Sequence, residues 1–579
     1  MKSLNMKVFK NKKRKFLNES MYETESIPKL TLKVLVPSLF VSLLFGIYIF
    51  VDQILMQHII PVNGINYLEN ALLSAGLTKD QILSVLSPND SQANYDNLIY
   101  QANRNMIVYQ TSVIGTVNLI FISIGLFINS GASVLFSRAL AQQDKQKCKS
   151  IWVSSFYSCL FLSIVLTVLI MSIQTYIVEA CIAKSTVSTS EVVNSYNQVR
   201  HQLILNAANK YMYFITGSIP IIMILNLLIF FLRAEGRSYF ITFAALIANL
   251  FNIIFELIFF LVFKMDIIGG GISILIGYFV NILLVASFIL FYEFVNKGDY
   301  PFSFAFKQLK EFKINWNVFT TSLILSLGTF LRDASIAVAN IVYVIVFFGT
   351  LNAISTAPGD AGVSAGLAFN DIQTVSGTPI YNLIFFAIYG IVDGLRPILA
   401  YNYQKQNYKR VKVVYYYGII TGVVFSLLIN AVFWPIFLFG GPSVTSFFNA
   451  NTPSEIHVLT LLFCTLLFQF PLLSLSISGL SLFQSTGKMF LNIVASLAQG
   501  LIFFFPILYS MSNIAILVSD YKVMLFTAFT NIAISSIAIE ITSSICLHLY
   551  MGKKEKYKDP TVHLDVIIQK LEKFFTKNK

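Results

Sequence analysis

The sequence is short of charge and of paired cysteine. Charged residues make up 12% of the 579, about half the share found in soluble globular proteins, which excludes a set of water-soluble domains. Its five cysteines (Cys148, Cys159, Cys181, Cys464 and Cys546) are scattered with no CxxC spacing, so neither a disulfide framework nor a thiolate metal site is expected. HExxH, P-loop and glycine-rich nucleotide patterns are missing, and the five histidines are dispersed among interfaces and tails. Neither ATP hydrolysis by this chain nor membrane-enzyme chemistry has residues to carry it. No enzyme activity and no cofactor are expected.

What the chain has in quantity is apolar surface. It is 56% hydrophobic and 15% aromatic, with 53 Phe and 28 Tyr. A bilayer is spanned by about 20 apolar residues, and the hydropathy pattern predicts twelve such spans. They run over 33–58, 111–137, 150–177, 211–232, 239–263, 267–292, 318–348, 380–401, 413–439, 457–484, 489–510 and 523–550. Runs this long in hydrocarbon must be helices. The net charge of +13 then reads as topology signals facing anionic lipid, not as a nucleic-acid surface. With the N-terminus inside, 33 of the 41 Lys and Arg fall on the cytoplasmic side. Both termini are therefore expected in the cytoplasm, in a multi-pass protein of the cell membrane. Basic tails are expected at 1–32, too long in its apolar follow-on for a signal peptide, and at 551–579, lying on the inner membrane surface.

The two halves repeat one another. GASVLFSRALAQQDKQK from Gly131 matches GLRPILAYNYQKQNYKR from Gly394 at an offset of 263. Pro220, Arg233, Gly236 and Arg237 match Pro471, Gln484, Gly487 and Lys488 at a single offset of 251. Each half thus holds six helices of the same sense, 33–295 and 318–550, joined by a cytoplasmic linker at 296–317. The expected fold is an all-α polytopic membrane protein, two pseudo-symmetric six-helix bundles around a central cleft.

At these residues the sequence resembles the MATE family, the multidrug and toxic compound extrusion transporters. The resemblance rests on GIVDGLRPILAYNYQKQNYKRV from Gly390 to Val411, on Pro37 followed by FVDQILM around Asp52, on FLRAEGRSYF, and on NIIFE from Asn252 to Glu256. It covers about residues 30 to 550. Against the family pattern, Glu256 stands where many members have Asp, Asp393 and Arg396 replace two Gln, Gln404 replaces a Gly, and GGGISILIG offers Ser273 in place of a Thr.

Carboxylates within a bilayer are costly, about 2.5–3.5 kcal/mol at its centre, and usually mark an ion path. Asp52 and Glu256 lie at nearly one depth toward the outer face, with Asn252 one helical turn from Glu256. Two carboxyls in one dry pocket cannot both ionise cheaply. Asp52, Asn252 and Glu256 are therefore the expected coupling site, for a proton, or for sodium as the metal ligands. In the second half Arg332, Asp333, Asp393 and Arg396 are candidate cavity residues, with a structural ion-pair network equally open. Asp393 and Arg396 are spaced to neutralise one another. Glu540 is read either as a further site or as a packing partner for a neighbouring hydroxyl or amide.

Together with the resemblance this implies a secondary antiporter, exporting organic cationic or amphipathic solutes against H+ or Na+ entry. The alternative is a lipid-linked precursor flippase of the same superfamily. Expected partners are small organic solutes and membrane lipids, with no nucleic acid, and the protein is expected to be a monomer.

Overall fold

The computed structural model describes residues 21–62, 67–87, 94–182, 190–295, 302–312, 314–354, 378–440 and 453–551. Among these, every regular element is a helix. In chain order they are α1 (Met21–Thr24), α2 (Ile27–Leu30), α3 (Val36–Val62), α4 (Tyr67–Ser74), α5 (Lys79–Leu86), α6 (Tyr95–Leu126), α7 (Asn129–Gln142), α8 (Lys145–Cys181) and α9 (Glu191–Ala234). Then come α10 (Ser238–Leu257), α11 (Ile267–Val295), α12 (Trp316–Ile354), α13 (Thr378–Gln404), α14 (Tyr408–Phe439), α15 (Pro453–Thr486), α16 (Met489–Leu497), α17 (Phe504–Val518) and α18 (Phe526–Ile545). Eleven helices among the described residues are long and apolar enough to cross a membrane. The remaining expected span is α13, 27 residues long, whose apolar run is interrupted by Asp393 and Arg396. Large side chains such as Phe294, Phe439 and Leu517 stand more than three-quarters exposed, a surface suited to lipid and not to water.

Several boundaries differ from the sequence expectation. The second span is not one helix over 111–137. It breaks between α6 and α7 at Ile128, which holds a φ of 69°, a conformation unfavourable for a β-branched residue. The break is compensated locally, because the Asn129 side-chain amide donates to the carbonyls of Gly125 (3.0 Å) and Met223 (2.7 Å). It also frees the backbone N–H of Gly131, which donates to Ser326 Oγ of α12 at 2.8 Å. Residues 191–210, before the expected fourth span, are helical as well, because α9 runs for 44 residues from Glu191. Its extension keeps Tyr196, Ile204 and Ala208 buried, so packing outlasts the bilayer. Thr78 and Gln81 form a capping box at the start of α5. Most of the connection at 349–379 lies outside the described residues. So do 1–20 and 552–579 of the two tails, and 296–301 and 313 of the linker.

The buried apolar side chains form two large clusters, one mainly from α3–α11 and one mainly from α12–α18. Helix α3 and the turn before it contribute to both. Leu30, Val34, Leu35 and Leu39 lie in the second-half core, whereas Tyr48, Ile49, Met56 and Ile60 lie in the first-half core. Close approach of α3 to α13 depends on glycine. A Cβ on Gly390 would meet Leu39 Cα at 2.5 Å, and one on Gly46 would meet the Leu383 carbonyl at 2.8 Å. Such glycines let backbones approach where lipid offers no hydrophobic drive between helices.

The end of the bundle that carries most Lys and Arg is sealed across the two halves. Arg138 Nη2 of α7 donates to the Ser485 carbonyl of α15 at 2.7 Å. Gln484 Nε2 donates to Ser130 Oγ at 3.2 Å and to the Leu325 carbonyl at 3.0 Å. Helix α1 caps the seam. Tyr22, buried to 1% exposure, donates its hydroxyl to the Arg233 carbonyl in the first half at 2.8 Å. Its own carbonyl accepts from Asn402 Nδ2 (3.1 Å) and Arg410 Nε (2.9 Å) in the second. Burial pushes the Tyr22 phenol above its ordinary range, with Glu235 adding to the shift, so it remains a neutral donor.

Candidate functional site

Helices α3 and α10 bring Asp52 and Glu256 together. The two carboxyls are close enough to interact, at 5% and 0% exposure. Asp52 Oδ2 accepts from the Tyr211 hydroxyl of α9 at 3.4 Å. Asp52 Oδ1 and both oxygens of Glu256 have no hydrogen-bond partner among the described residues. Asn252 is buried beside them, one turn along α10, with neither its Oδ1 nor its Nδ2 bonded. Apart from Asp52 Oδ2, the side-chain oxygens of these three residues are acceptors without donors, the condition in which a proton or a hard cation gains most. No group of three His, Cys, Asp or Glu that could hold a metal ion occurs among the described residues. The geometry is that of a two-carboxylate pocket completed by amide and phenol. Immediately after Glu256 the helix widens into a π turn, Ile258–Val262, an irregularity that often accompanies functional sites.

Tyr48, Tyr211 and Tyr278 lie close to the pair. They were not foreseen, since tyrosines at helical spacing are indistinguishable from packing residues. The second half has no acid at the corresponding place. Its eleventh span also carries a π turn, Ala498–Ile502, and there Gln499 donates to Ser476 Oγ (2.6 Å) while its carbonyl accepts from Asn531 (2.7 Å). This half of the symmetry is polar but uncharged.

A cavity of about 170 Å³ lies next to the acid pair. It is walled by α3, α9, α10 and α11 on one side and by Phe386, Tyr389 and Asp393 of α13 on the other. Tyr48, Ala248 and Gly277 belong to its lining and abut the acid pocket. The charged groups in the lining are Arg233 and Asp393. Asp52 and Glu256 sit behind the wall, not in it.

The four candidates of the second half form two ion pairs. Arg332 Nε bonds the carboxylate of its neighbour Asp333 at 3.0 Å, which also accepts from the Tyr389 hydroxyl. The Arg332 guanidinium lies 4.0 Å from the Tyr389 ring centre. Arg396 pairs with Asp393 at 3.5 Å, as the spacing predicted, and donates from Nε to Gln484 at 2.9 Å. The nearer partner of Asp393 was not foreseen. It is Arg233 of the first half, at 2.7 Å. Glu540 accepts from Tyr415 (2.6 Å) and Ser544 (3.0 Å) and is a packing partner away from the cavity.

A family model described as MatE matches residues 111–258. That match covers about a quarter of the chain and likens this part of it to the MATE family. Its fold is similar to that of a MATE crystal structure in complex with MaL6, with a TM-score of 0.64 and 16% identity over 92% of this chain and 98% of that one. An outward-facing multidrug resistance MATE family transporter of the MOP superfamily gives a TM-score of 0.62 at 16% identity, covering 93% and 99%. A MOP superfamily transporter from Pyrococcus furiosus, described as having a binding pocket of reverse polarity, gives 0.61 at 16% identity, again covering 93% and 99%. Along nearly its whole length the chain is also similar to uncharacterized proteins of mycoplasmas. The MG447 homolog of Mycoplasmoides gallisepticum is 24% identical over 576 residues (93% of each chain), and MG447 of Mycoplasma genitalium is 23% identical over 540 (93% and 95%). The fold is therefore similar to that of these membrane transporters, an all-helical bundle in two halves.

Proposed function

We propose that this protein is a MATE-type, ion-coupled antiporter that carries amphipathic organic solutes out of the cell, with both termini in the cytoplasm. The observation that supports it most is the Asp52–Glu256 pair, dry and short of donors, one wall away from a cavity shared by the two halves. Loading that pair with a proton or sodium removes the repulsion between its carboxyls. Tyr48, α10 and α11 then relay the change to the cavity wall. A change of packing at this wall is what exchange requires, because ion and solute must favour different arrangements of the same helices.

The expected preference for cations draws little support from the cavity, whose lining charges are one arginine and one aspartate already paired. A fluorescent amphiphile in proteoliposomes tests the coupling. Its export is expected to stop when both proton and sodium gradients are dissipated, and in Asp52→Asn; export that persists in both conditions removes the proposal. The flippase reading is favoured by one feature, the arginines around Asp393. It predicts movement of an isoprenoid-phosphate lipid that neither ion gradient affects.

A further inference from the structure

Three arginines stand at the second-half edge of the cavity against two carboxylates. Arg233 lines it, while Arg396 and Arg332 lie just behind. The guanidiniums of Arg233 and Arg396 are 5.6 and 5.3 Å from the ring of Phe230, a wall residue, and share Asp393. Arg332 is matched by Asp333 alone. All three arginines are 2% exposed, and Arg233 Nε and Arg332 Nη2 have no acceptor among the described residues. Glu235, just after α9, accepts from the backbone N–H of Ser303 at 2.7 Å. The floor thus carries one positive charge in excess, out of water, with N–H groups unspent. Such a charge is costly without a counter-ion. Above it the wall is apolar and aromatic, with Phe45, Tyr48, Tyr278 and Phe386.

We infer that this floor binds the acidic group, carboxylate or phosphate, of the transported amphiphile, whose apolar body lies against the aromatic wall. The inference rests on the export reading and narrows its substrate class. Arginine's planar fork suits either acid. Asp393 is then a resident counter-ion that an incoming acid displaces. With its side chain 23% exposed it is the member of the cluster free to move. Displacement releases Arg233 from α13 and so unties the two halves where the solute has bound. When the solute leaves, Asp393 returns to Arg233.

The test measures binding to the full-length protein in nanodiscs, using a dansyl-labelled C11 carboxylate and the amine of the same chain. The carboxylate is expected to bind at least tenfold more tightly than the amine. Arg396→Gln should weaken it by tenfold or more, Arg396→Lys by less, and Asp393→Asn should tighten it. Equal or better binding of the amine, or an Arg396→Gln protein that binds the carboxylate unchanged while unfolding at the parent temperature, overturns the inference. Competition separates two sources of the acid. Displacement by an isoprenoid phosphate alone places it on a lipid, and displacement by a water-soluble aromatic acid places it on a free solute. If ion-driven export sensitive to Asp52→Asn persists while the carboxylate fails to bind, this inference falls and the export reading stands. Carboxylate binding without ion-dependent export has the opposite meaning.

Discussion

Arg233 of α9 and Asp393 of α13 meet at 2.7 Å and tie the first half of the protein to the second near its basic end. Removing one partner of a buried pair leaves the other uncompensated, typically a loss of about 3–5 kcal/mol. Arg233→Gln is expected to lower the unfolding temperature. It should also raise the rate at which a cysteine placed at the seam reacts with a water-soluble maleimide. Asp393→Asn should raise that rate too, and the double variant should lose less stability than the two singles summed. Additive losses would show that the pair carries no coupling.

The acid pair sets the pH response. In a proton-driven exchanger, raising the external pH strips the pair of its ion, so export falls as external pH rises. With sodium as the driver the sign reverses, because ionised carboxylates bind the cation better. Glu256→Gln leaves a single acid and is expected to flatten either profile and slow exchange by tenfold or more. Initial export rates measured at fixed sodium across external pH distinguish the two.

Tyr22 fastens both halves through one residue. Losing its hydroxyl in Tyr22→Phe removes one hydrogen bond, about 0.5–1.5 kcal/mol. Tyr22→Ala also empties a packed site against Tyr401, whose ring centre is 5.6 Å away, and should cost about 3–5 kcal/mol. Thermal unfolding in one detergent ranks the three proteins. A Tyr22→Ala protein as stable as the parent would mean that the cap contributes nothing to the seal.

Gly390 permits the approach of α3 to α13. Gly390→Val puts two methyl groups where Leu39 Cα and the Ser38 carbonyl already lie at 2.5 Å from the Cβ position. It is expected to hold the two helices apart, with maleimide labelling at the seam fast and no longer accelerated by a carboxylate amphiphile. Slow labelling like that of the parent counts against the close packing described.

Much of this was legible from residue order, and for a physical reason. Spans in hydrocarbon must be long and apolar, so twelve stand out in hydropathy, and eleven of the described helices are long and apolar enough to cross. The repeat was informative in a way that hydropathy alone is not. Gly131 and Gly394, matched by sequence, each let a helix of one half lie against a helix of the other. Arg233 and Gln484, matched likewise, each reach across the seam. The acid pair was readable because a bilayer makes any carboxylate conspicuous. Tyr211 and the Arg233–Asp393 pair were not, since which faces of distant helices meet is decided by tertiary packing. The break at Ile128 was hidden too, because an isoleucine inside an apolar run carries no turn signal.

Helix α3 owes its burial to two different cores: Leu39 lies in the second-half core, while Tyr48, Ile49, Met56 and Ile60 lie in the first-half core and only Phe50 and Ile54 of that stretch pack against the second. It therefore cannot follow both halves if they part. One rod with two allegiances must flex between those positions, where Gly46 offers least resistance, and the distance separating Leu39 from Asp52 becomes a gauge of which way the transporter faces.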